Sequence, residues 1–269
     1  MPSVPLMMRQ PADGDDTLAQ RAYTLLREAL WRGEFVPGQD ISLRSAAEAL
    51  GVSQMPVRQA LSRLQTEGVL VMRENRTLTV PELTPAAVVE VRDIRIALEG
   101  LAAELAALRA TPQDIEAIAA HFKALERSAL ACDIRRYIVD NWHFHMGIYR
   151  ASGSAMLLQM IETLWAKYSA YSRLARDDEA ISTLPNHVRM LDGLRRRDPG
   201  LARAGVVQDC CDTCEYLLRI IGREQDGAGS PAAARAADER PVRPFPQGGA
   251  LARMMAPRRR GRPPRKVAG

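Results

Sequence analysis

Gln54, Arg58, Ser62 and Gln65 carry the amide, guanidinium and hydroxyl groups that make specific hydrogen bonds to base edges, and they recur at helical spacing. Interleaved with them, Val57, Ala60, Leu61 and Leu64 fall at i, i+3, i+4 and i+7 and form an apolar stripe. One face of this helix is therefore anchored while another is left to read a groove. A second set, Cys210, Cys211 and Cys214, offers redox or soft-metal chemistry. A single helix places at most two of them on one face, so buried structural thiols are the competing reading. With Cys132 they make four cysteines in 269 residues, too few and too clustered for a disulfide framework, which fits a reducing compartment.

The base-reading helix needs a frame, and residues 17–82 supply one. A helix LAQRAYTLLREALWR ends at Gly33, and Pro37-Gly38 makes a turn. Ser42 is placed to cap a short helix, LRSAAEAL, which Gly51 terminates; Ser53 is placed to cap the reading helix, which Gly68 stops after about Glu67. Two helices joined at a Gly turn have the spacing of a helix-turn-helix. Val69-Leu-Val-Met72 and Thr77-Leu-Thr-Val80 flank a polar Arg73-Glu-Asn-Arg76 and predict a β-hairpin, with Asn75 suited to a positive φ at its turn. Helix-turn-helix plus hairpin is a winged helix. The plainer alternative is a small helical subdomain without a ligand. Eight Arg stand against seven Asp and Glu in residues 17–82, so affinity for a polyanion must come from a local face, from dimerisation or from help elsewhere.

The remainder of the chain sorts by composition. Hydrophobic residues make up 46% of it, enough to build real cores and to exclude disorder throughout. No run of about 18 consecutive apolar residues occurs, which argues against a membrane span. The opening MPSVPLMMRQPADGDD lacks a secretory apolar region, so residues 1–16 are expected to be unstructured and the address cytoplasmic. From Thr84 to Gly222 the pattern is helical. Thr84-Pro85, Thr111-Pro112 and Asp198-Pro199 pair an N-cap with Pro at the first helical position, while Asp133, Ser154 and Thr183 are further caps. Six helices starting near residues 85, 112, 134, 155, 184 and 199 predict an all-α bundle over residues 83–223. Residues 224–269 are expected to be a disordered linker and basic tail.

That tail dominates the charge. The whole chain is +5, and residues 251–269 hold seven basic residues and no acid, so what precedes them is net −2. Arg258-Arg-Arg-Gly-Arg-Pro-Pro-Arg-Lys266 resembles an AT-hook. A narrow A·T minor groove concentrates negative potential and admits an extended strand, Gly261 lets the backbone approach its floor, and Arg260 and Arg262 reach along it. A nonspecific basic arm is the other reading of the same residues.

The run LREALWRGEFVPGQDISLRSAAEALGVSQMPVRQALSRLQTEGVLV resembles the GntR family of bacterial transcriptional regulators. Further runs, RDIRIALEGLAAELAA, NWHFHMGIYRASGSAMLLQMIETLW and NHVRMLDGLRRRDPGLARAG, resemble the effector domain of its FadR-like (FCD) branch. The likeness covers about residues 18 to 222. It implies that Arg44, Ser53, Gln54, Met55 and Arg58 approach DNA and that Asn75-Arg76 form the wing tip. The family usually has Arg where Gln54 stands and a small hydroxyl at Met55; Arg pairs with guanine and Gln with adenine, so an altered operator is expected. In many members of the branch the effector domain holds a divalent metal that helps bind a small carboxylate. The corresponding positions are Asn141, His145 and His187, with Asp209 where the family has a final His. Two imidazoles and a carboxylate suit zinc, nickel or manganese; a pocket that has lost its metal is the competing reading. Arg95 falls at a position able to pair with an effector carboxylate, against a plain intrahelical salt bridge to Glu99. His121 and His143 carry no role from the resemblance.

The expected protein is a non-enzymatic, ligand-responsive regulator, mainly α, with an N-terminal winged helix-turn-helix and a C-terminal bundle. It binds a palindromic double-stranded DNA operator as a homodimer and responds to a small organic acid, in the cytoplasm and associated with the nucleoid. Two other classes remain open. An architectural protein would use the tail on A·T-rich DNA, and a metal-dependent hydrolase would use His145, His187 and Asp209, although no nucleophile motif accompanies them.

Overall fold

In α1 (Leu18–Trp31) and α2 (Leu43–Leu50) the helix starts follow from local chemistry: the Thr17 hydroxyl accepts from the Gln20 N–H, and the Ser42 hydroxyl from Ser45. The computed structural model describes residues 17–74, 76–168 and 182–225. Residues 1–16, Asn75 and the tail with Arg260 and Arg262 lie outside the described residues.

Gly51 closes α2 at φ +67°, a left-handed conformation that a side chain would strain. The reading helix α3 (Gln54–Thr66) follows and buries Val57, Ala60, Leu61 and Leu64, packing on α1 and α2. Ser53 departs from expectation. It occupies the N-cap in an extended conformation, yet its hydroxyl makes no capping hydrogen bond. Pro56 stands at the third helical position and has no N–H to donate.

The wing is a three-stranded antiparallel sheet in the order β1-β3-β2, made of β1 (Asp40–Ile41), β2 (Val71–Met72) and β3 (Leu78–Thr79). Val71 faces Thr79 across the predicted hairpin, and Asp40 faces Thr79 on the other edge. The strand β1 is an addition to the predicted hairpin, since two residues carry no periodicity. At the described part of the wing tip the positive φ, +62°, belongs to Arg76, whose N–H donates to the Arg73 carbonyl at 2.9 Å.

The bundle comprises α4 (Pro85–Arg109), α5 (Pro112–Leu130), α6 (Ile134–Ala151), α7 (Ala155–Tyr168), α8 (Leu184–Arg196) and α9 (Pro199–Gln225). All six expected starts are found. Thr84, Asp133, Ser154 and Asp198 accept from backbone N–H groups in the first turn, and Thr111 forms a capping box with Asp114. Thr183 is the exception, because its hydroxyl bonds to the Tyr137 hydroxyl at 3.0 Å. The last helix runs to Gln225, slightly into the stretch read as linker. Among the described residues no helix is long and apolar enough to cross a membrane.

The reading module rests on the bundle through α1, which touches α6 and α7. Trp31 stacks on Trp142 with ring centroids 4.6 Å apart, and Arg27 pairs with Glu162 at 3.0 Å, each partner 15% exposed. Within the bundle α8 and α9 approach closely at two glycines. A Cβ on Gly193 would lie 2.6 Å from Ala202 Cα, and one on Gly205 2.8 Å from the Met190 nitrogen. These contacts are with backbone, so neither helix can give way by rotating a side chain. Gly193→Ala should therefore push α8 from α9 and lower stability by about 1–3 kcal/mol, the usual cost of overpacking; thermal unfolding with an unchanged midpoint would show that the crossing is looser.

Candidate nucleic-acid interface and buried ligand cluster

The exposed face of α3 presents Gln54, Met55, Arg58 and Ser62, with Ser53 just before them and Arg44 exposed on α2. The side chains of Gln54 and Arg58 are exposed and make no hydrogen bond to another described residue, so their donors face solvent. Arg44 is held at 2.8 Å by Glu48, one turn along α2. Behind this face Arg63 stacks on Tyr23 at 3.8 Å and donates to Glu67, which also accepts from the Tyr23 hydroxyl. That lattice fastens α3 to α1 and leaves the N-terminal turn of α3 exposed. Arg76 is exposed on the wing.

The second site is enclosed. His145 on α6, His187 on α8 and Asp209 on α9 are buried, and their ligand atoms lie within 4.8 Å of one another. Asn141, one turn before His145, brings its Oδ1 to 2.9 Å from His187 Nε2. Hydrogen bonds fix the imidazole tautomer of His145. Tyr149 donates its hydroxyl proton to Glu99 at 2.6 Å, so its oxygen accepts from His145 Nδ1 at 3.0 Å. His187 faces an acceptor at each nitrogen, the Thr183 carbonyl from Nδ1 and Asn141 Oδ1 from Nε2, both at 2.9 Å, and a neutral ring can donate to one of them. His145 turns an Nε2 lone pair inward, and the two Nε2 atoms stand 3.2 Å apart.

Burial holds His145 well below the ordinary imidazole range, with His187 and Arg95 adding to the effect. His187 is lowered to about 4, mainly by burial. Asp209 is raised to about 7 by burial, with Arg95 opposing and Glu99 and Asp212 adding. Its oxygens lie 3.7 Å from each Nε2, too far for a hydrogen bond. Two imidazole nitrogens, an amide oxygen and a carboxyl group thus converge. Ligands about 2.1 Å from a divalent ion are about 3.0 to 3.4 Å from each other at right or tetrahedral angles. The donor set fits such an ion.

Arg95 is placed on Glu99, through Nε to Oε1 at 2.7 Å and a second nitrogen to Oε2 at 3.2 Å. The intrahelical bridge is thus present. Trp165 Nε1 also donates to Glu99, at 2.9 Å, and the Arg95 guanidinium lies 4.4 Å from the Tyr168 ring centre. Tyr149, Trp165 and Tyr168 are additions to the expected site. Asn141, His145 and Tyr149 recur every four residues of α6, a spacing that would have pointed to Tyr149. The cysteines are all free; Cys210 and Cys214 are buried, and burial raises both thiols. His121 and His143 stack on each other, 5.5 Å between centroids, apart from the cluster.

The model of the bacterial regulatory proteins, gntR family, matches residues 18–80, and that of the FCD domain matches residues 90–208. The HTH-type transcriptional repressor GlaR of Escherichia coli is 30% identical over 209 residues, covering 74% of this chain and 90% of GlaR. The chain belongs to the GntR family. It is a transcriptional regulator with a DNA-binding winged helix and a helical FCD domain, the kind of domain that takes small-molecule effectors and often a metal. The HTH-type transcriptional regulator McbR of E. coli is 34% identical over 142 residues, 53% of this chain and 64% of McbR. The solved structure of E. coli McbR superposes with a TM-score of 0.71 at 27% identity, over 76% of this chain and 99% of that one.

The cluster of this GntR-family protein has a distinct pH signature when a chelator keeps it ion-free. Folding favours protonated Asp209, so that contribution to stability is lost as pH rises from the carboxylate range through about 7. Asp209→Asn should then melt higher than the chelated parent at pH 8, with the gap closing toward pH 4. The neutral histidines act oppositely: stability falls as pH drops below their ordinary range toward the folded value of about 4 for His187. Equal melting of parent and variant across that range would contradict a buried ionised carboxylate.

Proposed function

We propose that the protein is a homodimeric, operator-binding regulator whose bundle holds a divalent ion on Asn141, His145, His187 and Asp209 and thereby takes up a small carboxylate. The observation that carries this reading is the convergence of His145 Nε2, His187 Nε2, Asn141 Oδ1 and the buried Asp209 carboxyl, with the two Nε2 atoms 3.2 Å apart. Zinc, nickel or manganese suits two imidazoles with two oxygen donors. Such an ion supplies the positive charge that a carboxylate would meet. Tyr149 and Thr183 orient the rings, Glu99 orients Tyr149, and Arg95 pairs with Glu99 from the far side.

Dimerisation is supported by α4. Ile94, Leu101 and Leu108 are exposed at seven-residue spacing, with Leu98 and Leu105 half-buried between them. That is the seam of a helix expecting another helix. The neighbouring α7 exposes Met156 and Met160. A two-fold pair of chains would offer two α3 helices to a palindrome with half-sites about one helical turn or a multiple apart. The tail residues Arg260 and Arg262 are assigned to an adjoining A·T-rich minor groove, which leaves α3 as the sequence reader.

The test is operator affinity, measured on DNA selected from random sequence, against a panel of small carboxylates with each metal. At least one acid should shift affinity by roughly fivefold or more, the scale of ordinary allosteric coupling, and His145→Ala should abolish the shift. A panel with no effect, or an effect that survives His145→Ala, contradicts the ion-bridged reading. Separately, Leu101→Glu with Leu108→Glu should give a monomer in light scattering; a dimer of unchanged mass would move the interface elsewhere.

A further inference from the structure

Met55 stands in the first turn of α3 with 61% of its surface exposed. A long apolar side chain in water at the tip of a reading helix is out of place unless the groove offers it an apolar partner. Reading helices enter the major groove with their N-terminal residues on the base edges. Those edges are hydrogen-bonding groups except at the C5 methyl of thymine, which is the apolar feature that side chains recognise there. An unbranched thioether adapts its shape to such a spot more readily than a stiff side chain.

Its neighbours narrow the geometry. Gln54 is exposed and makes no hydrogen bond to another described residue, so its amide is available for the two-bond contact that Gln makes with adenine N6 and N7. The Ser53 hydroxyl, left uncapped because Pro56 has no N–H, sits at the helix N-terminus, where phosphate oxygens are bound. A phosphate held there sets how deeply the first turn enters the groove. Arg58 lies one turn further along, about 6 Å of helix rise, or roughly two base pairs.

We propose that Gln54 and Met55 together select adjoining A·T pairs in each half-site, Gln54 by hydrogen bonds to adenine and Met55 by packing on a thymine methyl, while Arg58 fixes a guanine about two base pairs away. The inference rests on the DNA-reading function of α3 and specifies what that helix reads. It assigns Met55 a contact that disappears when one methyl group is removed.

The experiment begins with selection from random DNA by the full-length protein, followed by replacement of each thymine of the selected operator with deoxyuracil. This removes the methyl and keeps the base-pairing edge. At one thymine position per half-site affinity should fall about fourfold, the value of one buried methyl or methylene group. Met55→Ala, an exposed position whose change leaves the core intact, should bind the thymine and uracil operators alike. Gln54→Arg should exchange adenine for guanine at its position in a fresh selection. Wild type that binds thymine and uracil operators equally at every position overturns the proposal, as does discrimination that persists in Met55→Ala. A selection that enriches no sequence at all removes the reading function itself.

Discussion

His145 Nε2 and His187 Nε2 stand 3.2 Å apart in a dry interior, with Asn141 Oδ1 and the Asp209 carboxyl beside them, and a set of acceptors buried so closely calls for a positive charge among them. A proton is the cheapest such charge in most histidine pairs. Burial disfavours it here, since His187 is held at about 4 and His145 is also lowered. The Tyr149 hydroxyl behind His145 also stops the Nε2 of that neutral ring from becoming a donor without leaving Tyr149 unmatched. Nearly every helix of the bundle contributes to this arrangement: α4 through Arg95 and Glu99, α6 through Asn141, His145 and Tyr149, α7 through Trp165, α8 through His187 and α9 through Asp209. The close crossing of α8 and α9 at Gly193 and Gly205 holds His187 and Asp209 within reach of each other.

The helix that carries most of these groups also meets the reading module. Trp142 follows Asn141 directly and stacks on Trp31 of α1, while Arg150 lies over the Trp142 ring and within 3.9 Å of Glu162. Glu162 in turn holds Arg27. The indole N–H groups of Trp31 and Trp142 are buried with no hydrogen-bond partner. The two rings are thus held by their faces and by flanking charges, a contact without a fixed hydrogen-bond register. α6 is accordingly the element that carries ligands of the buried cluster and also touches α1.

How much of this was legible depended on the range of the interactions. Helix starts are set by a local cap, reinforced by an adjacent Pro at Thr84, Thr111 and Asp198, so all six bundle helices could be placed from these three and from Asp133, Ser154 and Thr183. The failures were also local, where a neighbour changed the rule: Pro56 removed the donor that Ser53 would cap, and Tyr137 drew off the Thr183 hydroxyl. Asn141 and His145 were visible as an i, i+4 pair, but their alignment with His187 and Asp209 came from family likeness. The support behind them was hidden because Glu99, Tyr149 and Trp165 are far apart in sequence and meet only when α4, α6 and α7 pack. The buried Arg95 shows the same limit: spacing allowed both a salt bridge and a ligand contact, and packing placed it on Glu99.

The central claim is that the lone-pair cluster is a divalent-ion site, and the most direct measurement is metal content. Elemental analysis of protein purified without a metal-binding tag, beside His145→Ala, should give about one equivalent per chain in the parent and none in the variant, as removal of one ligand from a four-ligand site predicts. Parent protein that contains no metal, and takes up none when supplied with zinc, nickel and manganese in turn, would contradict the account.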